Sequence, residues 1–259
     1  MIKFIHFFLI SIIILNIQFI FSNSTELETF GSKTELKFLS EKSISKRNLG
    51  YPTSQTELEF DSYVLSMQLP ITQCFKYPHC HEKILEIPKN TFSIHGLWPN
   101  KNGRPIEDCN TGDQIDIVFS DHKLESLVKR YWKSLKDDDK SFWDHEYNKH
   151  GYCWSMRYRK TPEEFFRNVI DLYLKLDLED IIFKAKFNLQ EPVQEFSYHT
   201  LMEKFTPIIN MNFDLKCLHH EDKQYLSDVF INLDLNYRSL PGIIGSNCNK
   251  SQPISIIFQ

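Results

Sequence analysis

Apolar residues recur along the chain with two different periods, and each change of period marks an element. In Asp61-Ser62-Tyr63-Val64-Leu65-Ser66-Met67-Gln68-Leu69 the larger apolar residues fall at 63, 65, 67 and 69. That period of two predicts a half-buried strand, ended by Pro70. Thr91-Phe92-Ser93-Ile94-His95 alternates again, with Phe92 and Ile94 on one face and Ser93 and His95 on the other. Gly96 and Pro99 are expected to close this strand. The spacing then becomes helical. Asp121 is placed to cap a helix through Leu124, Leu127, Val128 and Tyr131. A second helix is expected over about 141–150. A third starts at Thr161-Pro162-Glu163-Glu164, with threonine as cap and proline in the first turn, and runs to about Leu176. Tyr198–Phe205 reads as a helix, Tyr225–Leu235 as a strand and Ile254–Phe258 as a last strand. Strands and helices mixed without regular βαβ alternation predict an α+β fold.

The first 22 residues stand apart. Lys3 is their only Lys, Arg, Asp or Glu, and Phe4–Phe21 is apolar except for His6, Ser11, Asn16 and Gln18, with Ser22 and Ser24 after it. A short positive end, an apolar stretch and small residues are the layout of a cleaved signal peptide; a retained membrane anchor is the competing reading. Residues 23–58 are polar and lack periodicity, which suggests a flexible leader or pro-segment. Lys46-Arg47 within it is either a processing site or part of a solvated linker. The ordered domain is expected over 59–259.

Composition narrows the function. The chain has 259 residues, 41% hydrophobic and 25% charged, enough for a substantial core. Its net charge of −4 argues against a broad nucleic-acid-binding surface. If RNA is the partner, a local site must hold its phosphate, as in an enzyme that releases product. The cysteines are Cys74, Cys80, Cys109, Cys153, Cys217 and Cys248, none in a Cys-x-x-Cys pair. They fit an oxidising route and disulfides better than zinc or redox chemistry, but the sequence alone does not choose their pairing. Asn23 and Asn249 begin Asn-x-Ser/Thr sequons and are glycan candidates.

Two segments carry chemistry. The first is Phe92-Ser93-Ile94-His95-Gly96-Leu97-Trp98-Pro99, which puts a histidine on the polar face of a strand end beside a glycine. The second is Phe142-Trp143-Asp144-His145-Glu146-Tyr147-Asn148-Lys149-His150-Gly151-Tyr152-Cys153. At about 100° per residue, with His145 at zero, Lys149 falls near 40°, Glu146 near 100° and His150 near 140°. Two imidazoles, a carboxylate and an ammonium on one face make an acid–base and anion-binding set. A zinc site is the rival reading, but the spacing is His-Glu-x-x-x-His, with Lys149 where the second ligand of His-Glu-x-x-His would stand. No metal or cofactor is therefore expected.

The two segments closely resemble the signature motifs of the ribonuclease T2 family of acid endoribonucleases: Ile-His-Gly-Leu-Trp-Pro, and His-Glu-aromatic-x-Lys-His-Gly-x-Cys. The likeness covers roughly residues 60–258. Val64–Cys74 is similar to the family's first strand, with Gln68-Leu69-Pro70 where Gln-Trp-Pro or His-Trp-Pro is usual; Leu69 is thus a departure near the base site. Phe165–Phe183 looks like the following helix and turn. The resemblance implies a central antiparallel sheet packed with several helices. It implies His150 as base and His95 as acid, with His145 binding phosphate and Glu146 and Lys149 stabilising the transition state. It also implies Trp98, Gln68 and Phe142 as residues beside the substrate, although Phe142 and Trp143 read more readily as packing than as contacts. It implies the disulfides Cys74–Cys80, Cys109–Cys153 and Cys217–Cys248. The expected substrate is single-stranded RNA, not DNA, cut to a 2′,3′-cyclic phosphate and then a 3′-phosphate. The expected protein is a monomer, extracellular or lysosomal/vacuolar, with no membrane association after signal cleavage. A catalytically idle binding protein on the same fold is the alternative. His79, His81, His219 and His220 read as loop residues, and Arg157, Arg159 and Lys160 as a solvated face.

Overall fold

The computed structural model describes residues 59–259, except 78, 111, 243 and 244. The expected signal peptide, the leader, Lys46-Arg47 and the Asn23 sequon lie outside the described residues. The elements are β1 (Ser62–Gln68), short helices α1 (Pro70–Gln73) and α2 (Cys80–Lys83), β2 (Ser93–Lys101), β3 (Arg104–Pro105), α3 (His122–Tyr131) and α4 (Asp139–Glu146). A π-helical turn, Tyr147–Gly151, leads into α5 (Tyr152–Tyr158), then α6 (Pro162–Lys175), α7 (Ile181–Lys184), β4 (Val193–Phe196), α8 (Tyr198–Ile209), β5 (Phe213–His220), β6 (Lys223–Asp234) and β7 (Ile254–Ile257).

The sheet runs β3-β2-β1-β6-β7-β4, with β5 on the other edge of β6. Its pairs are antiparallel, as expected for the central sheet, except for the short parallel pairing of β6 with β7. Alternation divides its central strands into two faces. Tyr63, Leu65, Met67, Leu215, Val229, Ile231 and Leu233 are fully buried in the apolar core. The alternate positions carry Ser66, Gln68, Gly96, Trp98, Asp228, Phe230, Asp214 and Lys216, and this polar face holds the chemistry described below.

Helix caps follow the sequence signals. Asp121 accepts from the backbone N–H groups of Lys123 and Leu124, and Thr161 and Glu164 form a reciprocal capping box. Helix α6 buries Phe165, Phe166, Val169, Ile170, Leu172 and Tyr173, each contributing roughly 1.5–3 kcal/mol of apolar burial. Three disulfides close Cys74 to Cys80, Cys109 to Cys153 and Cys217 to Cys248, the pairs implied by the resemblance.

Several local expectations need correction. Strand β2 does not stop at Gly96 or Pro99 but continues to Lys101. It does so because a bulge absorbs the glycine: Ser66 pairs with Gly96 and Met67 with Ile94, leaving His95 as the extra residue. The expected strand Val64–Cys74 ends at Gln68, and Pro70 starts a helical turn. The helix placed at 141–150 extends from Asp139 to Tyr158 through the π turn. His219 and His220 are not loop residues; they end β5, with His220 stacked on Phe75 at 4.3 Å. His81 lies in α2 and His79 is its N-cap. The basic run is partly structural, since Arg157 donates to the Phe60 carbonyl and covers the Phe60 ring.

Candidate active site

His95 owes its position to the bulge. In an unbroken strand, residues three apart point to opposite faces. The inserted residue brings His95 and Trp98 into edge-to-face contact instead, with ring centroids 5.2 Å apart. The Trp132 indole donates to the His95 carbonyl at 2.7 Å and fixes the backbone there. Trp98 in turn lies 5.5 Å from the His150 ring, so the indole touches both imidazoles. Its Nε1–H donates to Glu146 Oε2 at 3.0 Å. Gly96 is required beneath this bond, because a Cβ there would overlap Glu146 Oε2 and meet Trp98 Nε1 at 2.5 Å.

The helical side depends on the π turn. The Tyr152 N–H bonds to the Tyr147 carbonyl, five residues back. This wider turn rotates His150 back toward His145, relative to the 140° separation of about 100° steps. The four groups lie near enough to act on one another but differ in burial: Glu146 and His150 are buried, Lys149 is half-buried and His145 is exposed. Lys149 Nζ pairs with Glu107 Oε2 at 3.5 Å, a partner the sequence reading missed. Gly151 lets α5 and α6 approach, since a Cβ there would meet Phe165 at 2.6 Å and Tyr147 at 2.8 Å.

Electrostatics drive the two histidines apart. Burial is the largest influence on His150, and the nearby Lys149, His145 and His95 charges add to it, depressing its pKa to about 3. Its Nδ1 has no hydrogen-bond partner among the described residues. Burial also opposes the charged form of His95, but two carboxylates outweigh it. Nδ1 lies 4.0 Å from Asp228 Oδ1 and Nε2 lies 3.7 Å from Glu146 Oε1, and the net shift is upward. Burial raises Glu146 against the pull of His95, Trp98, His145 and Lys149. Burial thus disfavours the charged form of His150, while two carboxylates favour the charged form of His95.

Of the remaining site candidates, Phe142 packs 5.8 Å from the His95 ring. Gln68 pairs with Ser93 and Asp228 in register and is only 5% exposed, so it offers little surface to a ligand. Asp228 was missed entirely. Its signal was a carboxylate inside the apolar alternation of 225–235, where aspartate is disfavoured. Among the described residues no helix is long and apolar enough to cross a membrane.

A profile described as the ribonuclease T2 family matches residues 60–252. The chain is 29% identical over 134 residues to ribonuclease S-3 of Petunia hybrida, covering 49% of this chain and 57% of that one. It is 33% identical over 128 residues to intracellular ribonuclease LX of Solanum lycopersicum, covering 48% and 52%. The chain thus spans little more than half the length of these relatives. In structure it is similar to the self-incompatibility-associated SF11-RNase of Nicotiana alata, with a TM-score of 0.62 at 22% identity, covering 76% of this chain and 98% of that one. At that identity the likeness bears on the fold alone.

Proposed function

Because the chain belongs to the ribonuclease T2 family, we propose that it is an endoribonuclease that cleaves single-stranded RNA without a metal. RNA brings its own nucleophile, the ribose 2′-hydroxyl. His150, held neutral, takes that proton. His95, whose charged form the Asp228 and Glu146 carboxylates favour, protonates the departing 5′-oxygen. The phosphorus passes through a pentacovalent state to a 2′,3′-cyclic phosphate. Water then opens the ring with the two roles reversed, leaving a 3′-phosphate. Lys149 and Glu146 face the developing charge, and exposed His145 receives the substrate phosphate. Glu146 keeps Oε2 on the Trp98 indole and Oε1 toward His95 Nε2, where its carboxylate steadies the His95 imidazolium. Trp98 orients Glu146 and offers a ring face to a neighbouring base. DNA lacks the 2′-hydroxyl and should survive.

The observation that carries this reading is the meeting of His95, His150 and Glu146 around the one Trp98 indole. The disulfides support a route through an oxidising compartment, with an extracellular or lysosomal/vacuolar destination. The test is incubation with RNA and, separately, DNA in EDTA across pH 4–7. Cyclic-phosphate products from RNA alone are expected. Cleavage abolished by EDTA would sink the metal-free mechanism, and no cleavage at any pH would favour an idle binding protein.

A further inference from the structure

His95 has two ring nitrogens, and the proposed chemistry uses one. Nε2 is on the Glu146 side, at 3.7 Å, whereas Nδ1 is on the Asp228 side, at 4.0 Å. We propose that Asp228 is the positioning residue of His95: its carboxylate holds the Nδ1 edge, so that the proton to be donated resides on Nε2. This rests on the ribonuclease reading only for its kinetic consequence.

The sheet places Asp228 deliberately. Strand β6 carries a bulge of its own: Lys216 pairs with Asp228 and Cys217 with Leu226, leaving Ser227 over. Two bulges, at His95 and at Ser227, thus flank β1 and re-aim the chain at the same level of the sheet. The Asp228 carboxylate is itself held. Gln73 Nε2 donates to Asp228 Oδ2 at 3.2 Å and to the Ser227 carbonyl at 3.3 Å. Lys76 Nζ donates to Gln73 Oε1 at 3.0 Å, completing a chain from solvent to the imidazole. A buried carboxylate needs such donors. Gln73 fixes Oδ2, which leaves Oδ1 as the oxygen turned toward the His95 ring.

Other charges face this pair. Lys216 on β5 acts on Asp228, Lys76 after α1 acts on His95, and Glu146 on α4 lies across the ring. Asp214 lies beside Lys216. The Asp228 contact exceeds hydrogen-bond length here. Such catalytic contacts are often long without substrate and shorten when it binds. The dyad logic is that a carboxylate behind an imidazole selects the tautomer and favours the imidazolium.

The sign follows from the charge. Asp228 and Glu146 raise the His95 pKa, so His95 keeps its proton to higher pH. Asp228→Asn keeps the shape but removes a negative charge, and His95 should then deprotonate at lower pH. The experiment is NMR titration of His95, with its tautomer read from nitrogen-15 shifts, beside the pH profile of RNA cleavage. In the wild type, neutral His95 is expected to carry its proton on Nδ1; this reading needs no variant. In Asp228→Asn the His95 midpoint and the alkaline limb of activity should both move to lower pH. The kcat should fall by roughly tenfold to a hundredfold, part of the 10²–10⁴ a positioned acid supplies, with KM little changed. Asp228→Glu should recover most of the midpoint. An Nε2–H tautomer in the wild type, or an unmoved midpoint in a folded Asp228→Asn, overturns the proposal. Because the titration needs no turnover, an inactive wild type would sink the ribonuclease reading while leaving this one testable.

Discussion

The strand that holds His95 and the helix that holds His150 solve opposite problems with the same side chain. His95 stands on a bulge, its side chain 34% exposed, between two carboxylates. His150 sits within a π turn, 4% exposed, with cationic groups nearest to it. Both elements break regular geometry at the residue they present, and both place a glycine directly after it. They differ in charge and solvent, and that difference shifts the two imidazoles in opposite directions. Residue type makes two histidines interchangeable, and surroundings suit them to the separate roles proposed for an acid and a base.

The largest test removes each ring in turn. His95→Ala and His150→Ala should each lower kcat by about 10²–10⁴, the range a positioned proton donor or acceptor supplies. The two variants should differ in pH dependence. With a folded pKa near 3, His150 sets an acid limb, which His150→Ala should remove. His95→Ala should instead remove the alkaline limb, since its ordinary value is raised. Steady-state rates from pH 3 to 9 check this. Identical residual profiles in the two variants would erase the distinction.

Much of this was legible in the sequence, for reasons that also explain the gaps. Period-two alternation marks β1 because one of its faces is wholly apolar, and Asp121 and Thr161 announce their helices through local capping. The site motifs are contiguous, so His95, Glu146 and His150 could be chosen without a fold. Asp228 could not, because it reaches His95 only through pairing across β1. Glu107 likewise meets Lys149 through tertiary folding. The two irregular turns were hidden as well, since a bulge and a π turn add a residue without changing the motif. The helical wheel took 100° for every step, which does not describe the Tyr147–Gly151 turn that carries His150.

A smaller effect separates how the two regions are held. The Asp108 N–H donates to the Lys149 carbonyl, and Cys109–Cys153 closes a separation of 44 residues beside it. Cys74–Cys80 closes only 6. By loop-closure entropy the first is worth about 4 kcal/mol and the second about 2 kcal/mol. Cys109→Ala with Cys153→Ala should therefore destabilise more than the pair Cys74→Ala and Cys80→Ala, as measured by denaturant midpoints. The wider loss should also loosen His150, lowering activity below the melting range. Equal losses would mean that the helix is held by packing and not by this tether.

The smallest effect compares the two glycines. Gly151→Ala pushes a methyl group into Phe165 and Tyr147, in the packed layer between helices. Such overpacking costs about 1–3 kcal/mol and has no soft direction in which to relax. Gly96→Ala pushes instead into the Trp98–Glu146 hydrogen bond, which lies between the two imidazoles. Glu146 can swing away, at the expense of a buried partner worth about 1–3 kcal/mol. The first substitution should thus appear mainly as a lower melting temperature with near-normal kcat in the folded fraction. The second should appear as a kcat loss of roughly tenfold, the equivalent of about 1.4 kcal/mol, with a smaller change in melting. If Gly151→Ala instead abolished turnover while melting normally, the π turn would be adjusting the base itself and not only its support.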